Sequence, residues 1–513
     1  MKTLKELIHG LEILGTSGNM DVAVTDICSD SRRVTEGNLF VCVPGSRFDG
    51  NAFAGEAVAK GAVALVSEAE PAGKTAAAYV RVPDIRKALA ALAINFFGNP
   101  SRGLQLIGIT GTNGKTTTSL LIESILRSAG CTPGVLGTLA YRWGNRELPA
   151  SMTTPDSLEL QRIFHEMLRD GVSHVVMEVS SHALALGRIA GCTFRTGVFT
   201  NLSQDHLDFH SSMEDYFAAK KLLFSDYLDP HRSAAVLNAD DPYGRRILEN
   251  GAPGNHALGY SAAVPSMEDA AGVFARKVQF TPHGIHALIG TPRGDIEIES
   301  SLVGRLNLYN VLAAVSAAFA LGIPFEAIAD GIRAVSHVDG RLQRVEVPAS
   351  CGFHVIVDYA HTPDAVEKAL TCLREMEPGR LIAVLGCGGD RDRGKRPIMG
   401  RIAAQKADLV IVTSDNPRTE DPAKILDQVE AGIRETGVRY FEPTGPAPAE
   451  RCYTTEIDRR KAIELALAIA RPGDILFIGG KGHETYQIIG TTKYPFDDRL
   501  VVKDYFRNHP VSD

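Results

Sequence analysis

The sequence predicts an α/β fold in three domains, and three observations carry that reading. Short apolar runs alternate with helical stretches along most of the chain, the pattern of parallel strands covered by helices. One strand–helix junction, residues 108–118, is glycine-rich and reads Gly-Ile-Thr-Gly-Thr-Asn-Gly-Lys-Thr-Thr-Thr. The alternation breaks at the turn Phe97-Gly-Asn-Pro-Ser101 and restarts near residue 336, which divides the 513 residues into segments 1–98, 99–335 and 336–513.

In the first segment, strands are expected at 22–26, 38–43, 62–66 and 78–81, with helices at 51–60 and 85–97. Residues 1–6 read as the start of an amphipathic helix and lack the apolar core of a signal peptide. In the second segment, strands are expected at 105–110, 174–179, 196–200 and 234–238, with a helix over 119–128 after the glycine-rich turn. The third segment shows strands at 354–358, 381–386, 409–414 and 474–478, separated by helices such as 364–375 and 461–470. That order suggests an open, Rossmann-like sheet of the dinucleotide-binding type.

Composition removes several classes of function. A hydrophobic content of 44% supports full-sized cores, and a net charge of −7 argues against nucleic acid as a partner. No apolar run is long enough to span a membrane. The eight cysteines contain no C-x-x-C pair and read as reduced thiols of a cytoplasmic protein.

The chemistry concentrates at strand ends. The stretch Thr110-Gly111-Thr112-Asn113-Gly114-Lys115-Thr116 keeps G-x-x-G-K-T but not the full spacing of the usual phosphate loop. Its glycines let backbone N–H groups approach phosphate oxygens at a helix N-terminus. Lys115 can reach the terminal phosphates of a nucleotide such as ATP, and the Thr116 hydroxyl can ligate Mg²⁺. Glu178 ends one strand and His206 follows another, so a carboxylate, an imidazole and the Thr116 hydroxyl are candidates to hold Mg²⁺. Taken singly, Glu178 reads as a surface carboxylate and His206 as a hydrogen-bonded structural histidine. His206 and His210 stand four apart, a faint zinc pattern without H-E-x-x-H. Lys220 alone is a lysine on the surface of a helix.

Several motifs together resemble the Mur ligases, the ATP-dependent amide-bond ligases of peptidoglycan precursor synthesis. They are Gly-Thr-Asn-Gly-Lys-Thr at 111–116, Glu178-Val-Ser-Ser-His182, Asn201-Leu-Ser-Gln-Asp-His206, Asp358-Tyr-Ala-His-Thr-Pro363, Gly386-Cys-Gly-Gly-Asp-Arg-Asp392 and Gly479-Gly-Lys-Gly-His-Glu484. They run in family order over essentially the whole chain. The resemblance implies a uridine-nucleotide domain, a central P-loop ATPase and a C-terminal domain that brings the amino acid. Within the family, the chain looks like the member that extends UDP-MurNAc-L-Ala-D-Glu by the third residue of the stem peptide. By resemblance, Lys115, Glu178, His206 and Lys220 are catalytic. Lys220 would carry a carbamate and, with Thr116, Glu178 and His206, hold Mg²⁺, with Lys221 as its register alternative. Arg341, Asp358 and His361 would lie around ATP.

For the UDP substrate, the resemblance points to Ser31, Thr153, Thr154, Ser180 and Arg188. In Met152-Thr153-Thr154-Pro155 the residues alone read as a helix N-cap followed by proline. The added amino acid would meet Arg391, Gly480 and Glu484 together with Asp415-Asn416-Pro417-Arg418. In the family that tetrapeptide goes with meso-2,6-diaminopimelate, whose distal carboxylate a guanidinium can grip with two charge-assisted bonds. By itself, Asn-Pro suggests only a turn. A lysine-adding ligase and a folylpolyglutamate synthase-like ligase are the alternatives.

Overall fold

The computed structural model describes residues 1–45, 49–70, 77–250, 256–263, 272–443, 448 and 450–510. The chain forms two compact units, Met1–Tyr260 with Ala313–Ala327, and Ser261–Leu312 with Ile328–Asp513. Both are mixed α/β structures built on parallel sheets.

The first unit opens with strands β1 (Gly15–Ser17), β2 (Asp26–Cys28), β3 (Asn38–Val41), β4 (Ala64–Ser67) and β5 (Ala78–Arg81), in the order β1-β5-β4-β3-β2. Only β1 is antiparallel to its neighbour. Helix α1 (Ile85–Phe97) starts on the Asp84 carboxylate, which accepts the Arg86 and Lys87 N–H groups, and stops at Gly98 in the left-handed region. Its buried face, Ile85, Ala88, Leu89 and Leu92, packs with Leu39, Val66 and Val80 of the sheet. The amphipathic start at residues 1–6 becomes a single helical turn, Leu4–Leu7, closed by a capping box between Thr3 and Glu6.

The central sheet follows: β6 (Gln105–Thr110), α2 (Lys115–Ser128), β7 (Pro133–Leu136), β8 (Ala140–Trp143), β9 (Arg146–Pro149), α3 (Ser157–Arg169), β10 (His174–Glu178), α4 (Ser181–Ala185), β11 (Thr196–Phe199), α5 (Met213–Ser225), β12 (Ala234–Asn238) and β13 (His256–Ser261). Spatially the strands run β9-β8-β7-β10-β6-β11-β12-β13. The chain moves to one side of β6 through β7 and β10, then crosses to the other side with β11. The strand order therefore reverses at β6, where open α/β sheets place ligands. Helix α2 begins at Lys115, earlier than expected, because Gly114 adopts a left-handed N-cap and the helix rises directly from the glycine-rich turn. Helix α3 is capped by Asp156, whose carboxylate accepts the Leu158 and Glu159 N–H groups. The N-cap expected within Met152–Pro155 is thereby corrected; the Thr154 hydroxyl is engaged elsewhere.

In the second unit, β14 (Val273–Thr281), β15 (Gly284–Thr291) and β16 (Gly294–Ser300) form an antiparallel meander that the alternation pattern did not suggest. A second sheet uses β17 (Gln343–Val345), β18 (His354–Asp358), α6 (Pro363–Arg374), β19 (Leu381–Cys387), α7 (Lys395–Lys406), β20 (Leu409–Ser414), α8 (Pro422–Arg434), β21 (Arg439–Tyr440), β22 (Cys452–Thr455), α9 (Arg459–Ile469) and β23 (Ile475–Gly479). Its order is β17-β18-β23-β19-β20-β22-β21, with only β17 antiparallel. The carboxyl ends of β18, β23, β19 and β20 are consecutive neighbours. A short hairpin, β24 (Tyr486–Ile489) and β25 (Thr492–Pro495), follows. Among the described residues, no helix is long and apolar enough to cross a membrane.

Candidate active site

In the first unit, the site grows from the adjacent carboxyl ends of β10, β6 and β11. The loop after β6 is sewn to the end of β11: Thr112 N–H donates to the Asn201 carbonyl (2.8 Å), Asn113 N–H to Asn201 Oδ1 (3.0 Å), and Thr200 Oγ1 to the Asn113 carbonyl (2.6 Å). Gly111 sits at φ +149°, and a Cβ there would collide with Thr200 Oγ1. Only glycine permits this close approach. Thr110 is fully buried at the end of β6. Lys115 folds back over the loop, donating to the Gly111 and Thr112 carbonyls at 2.9 Å each.

Glu178 is 1% exposed, which overturns its reading as a surface carboxylate. Its Oε1 accepts the Thr116 hydroxyl and the Thr138 N–H, both at 3.0 Å, and its Oε2 accepts the Thr138 hydroxyl at 3.0 Å. Thr116 and Glu178 thus present two hard oxygen donors side by side at the helix N-terminus, a donor set that suits Mg²⁺ completed by phosphate and water. Thr138 was missed by sequence reasoning. Its signal is its place just past the end of β7, at the same edge of the sheet.

Lys220 is 1% exposed, so the residue-only reading of a surface lysine is wrong. Its ammonium donates to the Gly111 carbonyl at 2.9 Å and lies 4.6 Å from the centre of the Tyr216 ring. Lys115 donates to the same carbonyl. Burial, reinforced by the Lys115 charge and opposed by Asp205, lowers the Lys220 pKa well below that of an ordinary lysine. Lys221, by contrast, is exposed.

His206 occupies the left-handed region at φ +55°, and its ring packs edge-on against His182 at 4.9 Å. Burial lowers its pKa; Asp205 opposes this, while Lys220 and Lys115 add to it. His210 directs Nε2 to the Ser181 hydroxyl at 2.9 Å. The described residues contain no group of three or more His, Cys, Asp or Glu arranged to hold a metal.

Next to Glu178 lies a second polar group. The Thr154 hydroxyl donates to the Glu178 carbonyl (2.8 Å) and accepts the Ser180 N–H (3.0 Å), and Arg188 Nη1 donates to the Thr154 carbonyl (3.3 Å). The Ser180 hydroxyl caps α4. Thr153 Oγ1 is 3.1 Å from Thr138 Oγ1. Ser31 stands apart from this group, with its hydroxyl turned to Glu56 at 3.4 Å.

In the second unit, Asp358 closes β18 and accepts the Leu342 N–H (2.6 Å) and the Ala360 N–H (2.7 Å). Burial raises its pKa, against the pull of Arg341. The Arg341 guanidinium lies 4.9 Å from the centre of the Tyr359 ring, and His361 Nδ1 is 2.7 Å from the Tyr359 carbonyl. Arg341, Asp358 and His361 therefore gather at one strand end.

Asp415, Asn416, Pro417 and Arg418 follow β20, while Gly480 and Glu484 follow β23. Asn416 Nδ2 donates to Glu484 Oε2 at 2.8 Å. Gly480 has φ +112°, and a Cβ there would press on Asp415 Oδ2 at 3.2 Å. Lys481, which sequence reasoning did not single out, is completely buried among these residues. Its ammonium is 3.1 Å from Glu484 Oε2, 3.2 Å from Asn416 Oδ1 and 3.5 Å from Asp415 Oδ1. Its signal was present: a lysine at a strand end inside Gly-Gly-Lys-Gly-His-Glu. Arg418 sits at φ +51° and donates Nη1 to the Gly389 carbonyl at 2.8 Å. Arg391 donates to the Asp390 carbonyl at 3.0 Å. Among the described residues, neither guanidinium has a carboxylate partner.

Comparison with known proteins identifies the family. Three family models match: "Mur ligase family, catalytic domain" over residues 23–97, "Mur ligase middle domain" over 109–318 and "Mur ligase, glutamate ligase domain" over 340–482. UDP-N-acetylmuramoyl-L-alanyl-D-glutamate–2,6-diaminopimelate ligase of Geobacter metallireducens is 45% identical over 517 residues, covering 98% of each chain. The Gloeobacter violaceus protein of the same name is 48% identical over 488 residues, covering 95% of this chain and 94% of its own. A solved structure of a ligase of that name matches all of both chains with a TM-score of 0.71 at 32% identity. With family models across all three segments and relatives this similar over nearly its whole length, the chain belongs to the Mur ligase family.

Proposed function

We propose that this protein is the ATP-dependent ligase that joins meso-2,6-diaminopimelate to UDP-MurNAc-L-Ala-D-Glu, giving the UDP-MurNAc-tripeptide, ADP and phosphate for peptidoglycan synthesis in the cytoplasm. One observation carries the choice of amino acid. At the end of β20, Arg418 offers a guanidinium with no carboxylate partner among the described residues, beside a carboxylate cluster at Glu484 and Asp415. Diaminopimelate carries both complementary charges on its distal carbon; lysine lacks the distal carboxylate, and glutamate, the amino acid a folylpolyglutamate synthase adds, lacks the distal ammonium.

The segments 1–98, 99–335 and 336–513 are the corresponding domains for nucleotide-peptide, ATP and amino acid. The backbone N–H groups of 111–114 receive the ATP phosphates, and Lys115 turns from the loop carbonyls toward the terminal phosphate. Thr116 and Glu178, with His206 and a carbamylated Lys220, are the residues that would hold Mg²⁺, which would supply neutralisation of phosphate charge. A buried lysine of lowered pKa holds a neutral amine, which adds to CO₂ with loss of a proton to give an anionic carbamate. Thr153, Thr154, Ser180, Arg188 and Ser31 receive the nucleotide-peptide, placing its D-glutamyl carboxylate near Glu178. That carboxylate accepts the terminal phosphoryl group of ATP, and the amine of diaminopimelate displaces phosphate from the acyl phosphate. Arg341, Asp358 and His361 contact ATP, while Arg391, Asp415, Asn416, Pro417, Arg418, Gly480 and Glu484 orient the amino acid. The test is ligation by purified protein with diaminopimelate and lysine in competition. Exclusive or dominant lysine incorporation would overturn the proposal.

A further inference from the structure

Four arginines gather around the ends of β19 and β20: Arg391, Arg393 and Arg418 in the loops and Arg396 in the first turn of α7; two of them, Arg391 and Arg418, have no carboxylate partner among the described residues. Glu420 meets the other two. It lies 3.2 Å from Arg393 Nη2, and it takes both arms of Arg396, at 2.8 and 3.0 Å. The Arg396 side chain is wholly buried, whereas that of Arg393 is 68% exposed. Arg396 also donates to the Gly388 carbonyl (3.1 Å) and to Gln428 Oε1 (2.8 Å). Glu420 in turn accepts the Asp390 N–H at 2.6 Å. From the first turn of α7, one ion pair therefore ties together the loop 388–391, the loop 415–420 and helix α8.

The two loops are tied further on either side of that pair. Gly389 N–H donates to the Asn416 carbonyl at 2.9 Å, Arg418 Nη1 donates to the Gly389 carbonyl, and the Thr419 hydroxyl donates to the Asp390 carboxylate at 2.8 Å. Arg391 and Arg418 project from opposite halves of this seam. The separation of their guanidinium groups is set by how the loops are held, and a bidentate grip on a carboxylate tolerates little error in it.

We propose that Arg396 and Glu420 are positioning residues for amino-acid selection. Their buried pair fixes the two loops in register, consumes one guanidinium and leaves Arg391 and Arg418 as the two that meet the distal carboxylate. The inference rests on the reading of this site as the diaminopimelate pocket. Arg396→Lys keeps the charge but loses the fork that reaches Glu420, Gly388 and Gln428 at once. Glu420→Gln keeps the shape but sets an amide donor against the guanidinium.

The test measures KM and kcat for diaminopimelate and lysine, and KM for ATP and nucleotide-peptide, in wild type, Arg396→Lys, Glu420→Gln and Arg393→Ala. In the first two variants, KM for diaminopimelate is expected to rise about 10- to 100-fold and the preference over lysine to fall in parallel. Their kcat and the other KM values are expected to stay within about threefold. Arg393→Ala, which removes the solvent-side partner, is expected to behave as wild type. If Arg396→Lys does not fold, Glu420→Gln reads the same contact. A folded variant with unchanged diaminopimelate KM, or an equal change in Arg393→Ala, overturns the proposal while the pocket's identity stands. A wild type that does not ligate diaminopimelate overturns both.

Discussion

At the scale of single residues, burial separates readings that the sequence left open. Lys220 and Lys221 are adjacent on α5, yet one is enclosed against Tyr216 and the other faces water. The partner that receives the Lys220 ammonium, the Gly111 carbonyl, belongs to a turn distant in sequence, which the helix alone did not reveal. Lys220→Ala is expected to reduce ligation to near background with the fold intact, and added short carboxylic acids to restore part of it; wild-type turnover in this variant would exclude the carbamate. The acid side of the pH profile follows from the same group. Its lowered pKa leaves the amine neutral at lower pH than an ordinary lysine, but once pH falls through that pKa the amine takes a proton and the carbamate is lost. Activity is expected to fall there, and to fall less when bicarbonate is added. Arg418→Ala is expected to lower kcat/KM for diaminopimelate by roughly 30- to 1000-fold or more, the cost of about 2–5 kcal/mol for leaving the distal carboxylate unpaired. An unchanged diaminopimelate-to-lysine ratio would reduce the tetrapeptide to a turn.

At the scale of elements, the central strands of the parallel sheets were legible because buried parallel strands are continuous apolar runs, while β7, β13, β21 and β22 went unread. Gln105–Thr110, Ala234–Asn238, His354–Asp358 and Leu409–Ser414 fall where the apolar runs put them. The meander β14–β16 was not read from the sequence, although Asp295-Ile296-Glu297-Ile298-Glu299 alternates polar and apolar residues and its burial alternates to match. Its turns did carry a signal, Thr281-Pro-His-Gly284 and Thr291-Pro-Arg-Gly294, in which each threonine hydroxyl donates to the glycine carbonyl. The start of α2 was misplaced because a glycine in the left-handed region, rather than a side-chain cap, begins the helix. That same tight turn makes Gly111→Ala informative. The added methyl group meets Thr200 and separates the turn from β11, so ATP affinity is expected to fall by at least about tenfold, readable by calorimetry, while diaminopimelate contacts are untouched. Normal ATP binding would show that the turn can yield.

At the scale of the molecule, chemistry-bearing residues fall at the carboxyl ends of parallel strands in each unit taken by itself. The family resemblance supplied Asp358; a reading by strand ends singled out Glu178, His206 and the residues after β20. It missed Thr138, Lys481 and Glu420, whose importance lies in the partners that folding brings to them. The order of chemistry gives a prediction for the whole enzyme. Because acyl phosphate formation needs the nucleotide-peptide and phosphate release into product needs the amine, steady ADP release is expected only with both present. Sustained ADP release from ATP alone would argue for an uncoupled nucleotide hydrolase.

The backbone at Arg418 has one more implication. A residue with a Cβ pays about 1–2 kcal/mol to sit in the left-handed region that glycine or asparagine enters easily. Drift toward greater thermal robustness would therefore favour losing this arginine, and the same change would discard the group that distinguishes diaminopimelate from lysine. A lineage that switched to lysine would find the first step downhill for folding.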